Sequence, residues 1–204
     1  IDTSFISSLS RKEMICGFAE ILKHSIIKDK KFFNWLEKNS RLIFLKKDKE
    51  LTYAIKKSCE IKIYFVTKDL NEKGLRMILN FGHTFAHAIE VKNNYSKSIT
   101  HGEAVLTGMI LAIKLSILKK NCTYKILNKV RNLYVKNNLT HSLKNVSNTK
   151  WIQSLIPFLK QDKKNDDDKI NFLLLKNIGK ADLPNKFKIS TSDLRRHCKT
   201  ISQY

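Results

Sequence analysis

The stretch KEMICGFAEILKHSIIKDKKFFNWLE, from Lys12 to about Leu36, sets apolar residues three and four apart with charges between them. That period puts one apolar stripe on an α-helix and cannot do so on a strand, so the segment must form one amphipathic helix or two. Residues 50–67, ELTYAIKKSCEIKIYFVT, repeat the pattern. Helix breakers are scarce, with six Gly and two Pro in 204 residues. The expected class is therefore mainly α, in one domain over residues 1–204. A chain of this length, 42% hydrophobic, can bury a substantial core.

Further along, residues 1–10 read as an extended entry followed by a polar turn, and DLNEKG as a turn. A helix is expected from Leu75 to about Val91, and another from Thr100 to about Lys119, where Thr100 and Glu103 have the spacing of a capping box. Helices are also expected over 123–137, over 149–160 and from near Ser190. KINFLLLKNIG (169–179) lacks a helical face and reads as a strand or extended segment.

The formal charge is +21, from 39 basic against 18 acidic residues. Such an excess can neutralise phosphates, but only six of the basic residues are Arg, and none of the basic runs is interleaved with stacking aromatics. A nucleic-acid partner is not expected; anionic small substrates or a lysine-rich coding bias account for the charge. The four cysteines (Cys16, Cys59, Cys122 and Cys198) include no C-x-x-C pair, which fits reduced thiols in a cytoplasmic protein. The longest apolar run, AVLTGMILAI, breaks at Lys114 and is too short to span a bilayer. The chain begins with Ile1, so it is expected to be processed or to be part of a longer chain.

Chemistry concentrates in LNFGHTFAHAIE and THGEAV. His83 and His87, four apart, would lie one helical turn from each other, and Gly82 would let backbone or ligand approach. His101 falls in the first turn of its helix, where the dipole favours the neutral imidazole a metal requires. Glu20 interrupts an apolar stretch, a costly place for a carboxylate unless it is paired or metal-bound. Two His and one carboxylate leave a coordination position open, as in catalytic zinc sites. The pattern alone equally allows hydrogen-bonded core histidines, and by composition Lys23 and Lys62 read better as solvated surface lysines.

EKGLRMILNFGHTFAHAIE followed by HGEAVLTGM resembles the signature of the 3-dehydroquinate synthase family. GFAEILKHSIIKDKKFFNWLE resembles that family's metal-ligand helix, and DKKND with KINFLLLKNIG its C-terminal segment. The resemblance covers the helical C-terminal half of those enzymes; their N-terminal Rossmann-like α/β domain has no counterpart here, and residues 1–10 would be the remnant of the link to it. It implies Glu20, His83 and His101 as ligands of Zn2+ or Co2+, and His87 as a substrate contact that moves protons. Lys23, Lys62, Arg76 and Asn80 would bind substrate, Lys62 also taking part in catalysis, and Lys163 or Lys164 would lie on the phosphate side. The implied substrate is 3-deoxy-D-arabino-heptulosonate 7-phosphate, converted with NAD to 3-dehydroquinate and phosphate in the shikimate pathway to aromatic amino acids, by a homodimer.

The resemblance places Phe5, Ile6, Ser7, Ser8 and Glu13 near NAD. Here Ser8 stands for the usual Thr, Ser10 for Pro and Lys12 for Arg, and the six glycines form no phosphate-binding cluster. The chain alone is therefore expected to bind metal but not to turn over. Alternatives are another sugar-phosphate cyclase, against which Arg76 argues, and a non-catalytic metal-binding domain or split subunit.

Overall fold

A computed structural model describes residues 2–96, 98–159 and 169–204. A 3-10 turn over Thr3–Ser8 replaces the expected extended entry and leads into α1 (Arg11–Lys28). α1 is closed at its start by a capping box in which Ser10 and Glu13 each satisfy the other's backbone N–H. Asp29 then breaks the helix with an extended backbone and caps α2 (Lys30–Phe44), so the first amphipathic run forms two helices, the second longer than its pattern suggested. α3 (Asp48–Lys68) follows.

The expected helix over Leu75–Val91 is divided. Leu75–Asn80 form a 3-10 turn, and α4 runs only over His83–Lys92. Gly82 between them has φ +82°, a left-handed conformation that a side-chain-bearing residue adopts only with strain. A Cβ there would also meet the Met109 backbone N at 2.8 Å. The break therefore sits where the chain passes against α5 (His101–Leu118), whose Thr100–Glu103 capping box forms as expected.

α5 is the central helix, buried from Ala104 to Ser116 and packed against α1, α4, α6 (Tyr124–Lys136) and α8 (Thr191–Gln203). It is long and apolar enough to cross a membrane, and its apolarity is accounted for by this burial. Lys114, which ends the apolar run in sequence, lies fully inside; its Nζ donates to Val146 O at 2.5 Å. α7 (Thr149–Leu159) packs on α4 and α8. The 169–179 segment forms two short strands, β1 (Lys169–Phe172) and β2 (Leu175–Asn177). β1 pairs antiparallel with β4 (Phe187–Ser190), and β2 with β3 (Lys180–Ala181). Among the described residues the buried apolar side chains make one continuous core, with α1, α4 and α5 converging at one end of it.

Candidate metal centre

Three helices bring the centre together. Glu20 projects from the middle of α1, while His83 and His101 are the first residues of α4 and α5. Gly102 allows the approach: a Cβ there would lie 2.4 Å from Cys16 Cα, so any side chain would push the start of α5 off α1. Ligand atoms of Glu20, His83 and His101 lie within 4.8 Å of one another. One ion bound roughly 2.0–2.2 Å from each could bridge that span with a small inward rotation of the side chains.

The hydrogen bonds leave the right atoms facing inward. Glu20 Oε2 accepts from Lys23 Nζ at 2.7 Å, but Glu20 Oε1 is buried with no hydrogen-bond partner. An orphaned buried carboxylate oxygen is costly unless a cation meets it. His83 Nε2 stands 3.8 Å from that oxygen, with its Nδ1 turned toward Phe81 O at 3.4 Å. The Nδ1 of His101 lies 2.9 Å from Glu90 Oε1; donation there leaves Nε2 as the lone-pair nitrogen, the arrangement that orients histidines on metals. The donor set, one carboxylate oxygen and two imidazole nitrogens, fits a borderline divalent cation.

Burial, reinforced by the Lys23 charge, lowers His83 to about 3, so it is neutral at ordinary pH. Burial pushes Glu20 upward, yet Lys23, through charge and hydrogen bond, carries the balance below the usual carboxylate value. Because His83 is uncharged near neutrality, Lys23 is the group that keeps Glu20 ionised. Burial in turn draws Lys23 below its ordinary value, with Glu20 opposing and Lys62 adding to the fall.

His87 is exposed on the next turn of α4, its ring perpendicular to that of His83 with centroids 5.6 Å apart, and it is not one of the three clustered donors. Lys62 is exposed on α3, as composition suggests, whereas Lys23 is buried rather than solvated, its ammonium held by Glu20. The Arg76 guanidinium donates to Leu70 O at 2.8 Å and lies 4.0 Å from Glu72, while Asn80 Nδ2 donates to Glu72 Oε1 at 2.7 Å. Lys163 and Lys164 lie outside the described residues. In the Phe5–Ser8 turn, the Ser7 and Ser8 hydroxyls donate to Ser4 O and Phe5 O, Ile6 packs against the core and Phe5 is exposed. The Glu13 carboxylate is engaged in the α1 cap.

Sequence reasoning missed four supporting residues. Glu90 holds His101, and its spacing of seven from His83, two turns along the helix, was the available signal. Asp69 organises the loop carrying Arg76 by accepting the backbone N–H groups of Lys73, Gly74 and Arg76. His24 and Ser58 tie α1 to α3 through a buried 2.7 Å bond, a long-range pairing that leaves no local trace.

The family model for the 3-dehydroquinate synthase C-terminal region matches residues 17–165. The 3-dehydroquinate synthase of Pelagibacter ubique is 41% identical over 193 residues, 95% of this chain and 52% of that protein. That of Endomicrobium trichonymphae is 42% identical, covering 89% of this chain and 48% of its own length. The chain thus spans about half the length of the curated relatives it matches. Among solved structures, 2-epi-5-epi-valiolone synthase from Streptomyces hygroscopicus subsp. jinggangensis, with NAD+ and Zn2+ bound, superimposes with TM-score 0.77 at 22% identity, over 100% of this chain and 55% of that one. A 2-deoxy-scyllo-inosose synthase complexed with carbaglucose-6-phosphate, NAD+ and Co2+ gives 0.74 at 22% identity, over 97% and 54%. These two establish the shared fold, and the agreement in sequence establishes the lineage: this chain belongs to the 3-dehydroquinate synthase family.

Proposed function

We propose that this chain is the metal- and substrate-binding half of a 3-dehydroquinate synthase, which converts 3-deoxy-D-arabino-heptulosonate 7-phosphate to 3-dehydroquinate and phosphate. The observation that carries this reading is the orphaned, buried Glu20 Oε1 facing His83 and His101, with His87, Lys23 and Lys62 beside it. When bound, the metal would polarise a substrate hydroxyl and NAD would take up and return a hydride.

The chain's own residues do the positioning. Glu20, His83 and His101 would hold the Zn2+ or Co2+. Lys23 and Lys62 set positive charge beside the centre, where a phosphorylated sugar acid is held by its anionic groups. Arg76 offers the carboxylate a planar fork, and its present Leu70 and Glu72 contacts hold it ready at the loop surface. His87, exposed one turn from His83, is placed to exchange a proton with bound substrate. Lys163 and Lys164 would serve the phosphate.

Phe5, Ile6, Ser7, Ser8 and Glu13 could supply NAD with edge contacts at most, since their polar groups are spent on local bonds. They do not form a pyrophosphate cradle, so NAD binding requires an α/β partner half. The enzyme would be a homodimer acting in the cytoplasm.

The test is metal content and turnover together. The isolated chain should bind one Co2+ and release no phosphate from substrate. His83→Ala should lose the metal, whereas His87→Ala should keep it. Equal loss in both variants would overturn the ligand assignment, and turnover by the isolated chain would overturn the need for a second half.

A further inference from the structure

We propose that a cleft between the starts of α2 and α6 and the β2–β3 turn is a binding site for a compact polyanion of the diphosphate class. The cleft encloses about 350 Å³ and is lined by Lys30, Lys125, Lys129 and Lys176 together with Asn34 and Thr123; no Asp or Glu is among its lining residues. It is built by packing: Gly179 N donates to Ile26 O at 2.7 Å, pinning the β2–β3 turn to the end of α1, and buried Ile126 and Ile178 form part of its wall.

Three of the four cleft lysines are placed against local preference. Lys30 is the first residue of α2 and Lys125 the second of α6, at helix ends where the dipole disfavours cations. Lys125 and Lys129 are four apart on α6, a like-charge spacing that destabilises a helix. The first turn of α6 has no acidic residue, and Thr123 makes no side-chain cap bond, so its leading N–H groups add to the positive potential. Of the carboxylates nearby, Asp29 is engaged in capping α2 through Phe32 N, and buried Asp182 holds Lys176 at 3.3 Å and is shared with Lys186 at 3.0 Å. Among the described residues, Lys30, Lys125 and Lys129 form no ion pair. An anion in the cleft relieves all of these repulsions together, and a concave cationic surface concentrates one there.

The cleft lies beyond the C-terminal end of α5, whereas His101 starts that helix. Eighteen residues at about 1.5 Å each separate the two by about 27 Å. The site is therefore separate from the metal centre and stands whether or not the proposed catalytic reading does.

Pyrophosphate is the probe, titrated calorimetrically into the metal-free 204-residue chain at low ionic strength so that chelation cannot contribute. Saturable binding is expected, weakened at least tenfold in Lys125→Ala/Lys129→Ala and less than twofold in Lys144→Ala/Lys150→Ala, which removes equal charge elsewhere on the exposed surface. Lys125→Arg/Lys129→Arg should retain it. Absence of saturable binding, equal weakening in the two alanine pairs, or no weakening in either would overturn the proposal, because the charge would then be diffuse or the anion bound elsewhere.

Discussion

Replacing Gly108 with alanine should dismantle the proposed metal centre without touching any of its three donors. Gly108 lies in α5 against the turn that starts α4; a Cβ on it would fall 2.2 Å from Gly82 O and 3.0 Å from Ala86 N. Ordinary contact begins near 3.4 Å, so relief requires the two backbones to part by about 1.2 Å. Neither side can yield by rotating a side chain, because the obstacle is backbone, and Gly82 already meets the Met109 backbone from the other direction. His83 follows Gly82 directly and would move with it. The ligand atoms lie within 4.8 Å of one another, two metal bonds of roughly 2.2 Å leave no slack for further separation, and metal sites tolerate errors of only about 0.2 Å. Affinity for Co2+ should therefore fall by roughly 100-fold or more, beyond the 10–100-fold typical of losing an outer-shell partner. Overpacking should also cost about 1–3 kcal/mol, which for a chain of this size lowers Tm by several degrees. The assay is equilibrium dialysis with Co2+ at a temperature where circular dichroism shows the variant folded. Gly17→Ala is the control: nothing lies within 4 Å of its Cβ position, so metal affinity should hold and stability rise by about 0.5–1 kcal/mol. A Gly108→Ala protein with unchanged metal affinity and Tm would refute the claim that this contact sets the ligand spacing.

Glu90→Gln should weaken metal binding about 10–100-fold while leaving the helical content unchanged, because it removes the carboxylate that orients His101; unchanged affinity would show that His101 is oriented by other means. Lys114 supplies a pH test, since burial, with Arg131 adding, lowers it from 10.5 to about 8. Between those values the unfolded chain binds the extra proton, so the stability of the native protein relative to Lys114→Met should rise with pH through that window. The gain is on the order of 3 kcal/mol across it, and below about pH 8 the difference should be flat. Denaturant titrations at pH 7, 8.5 and 10 would measure it, and parallel pH profiles for the two proteins would contradict the buried, charged state of Lys114.

The local code was legible wherever the physics is local. Spacing of apolar residues by three and four marked α1, α2 and α3, because a helix stripe is a property of a few consecutive turns. The Thr100–Glu103 cap was readable for the same reason, its two hydrogen bonds closing within four residues. The residue types of a metal centre were visible too, since a carboxylate inside an apolar helix and histidines beside glycine are expensive choices without a use.

What the sequence by itself determined is thus a helical chain carrying two His and a Glu suited to a cation. Only the tertiary structure decided which donors meet. His83 and His87 share a helical face by period, yet the break at Gly82 makes His83 the start of α4, facing Glu20, and leaves His87 exposed. That break exists because Gly82 and Gly108 touch across two helices, a contact between distant residues that no local pattern encodes. Lys114 shows the same division: read along the chain it ends an apolar run, but inside the fold the Val146 carbonyl makes its burial tolerable. Local hydrogen bonds and periodicity are settled by neighbours in the chain, whereas ligand geometry and the burial of charge are settled by backbones that approach only once the core has closed.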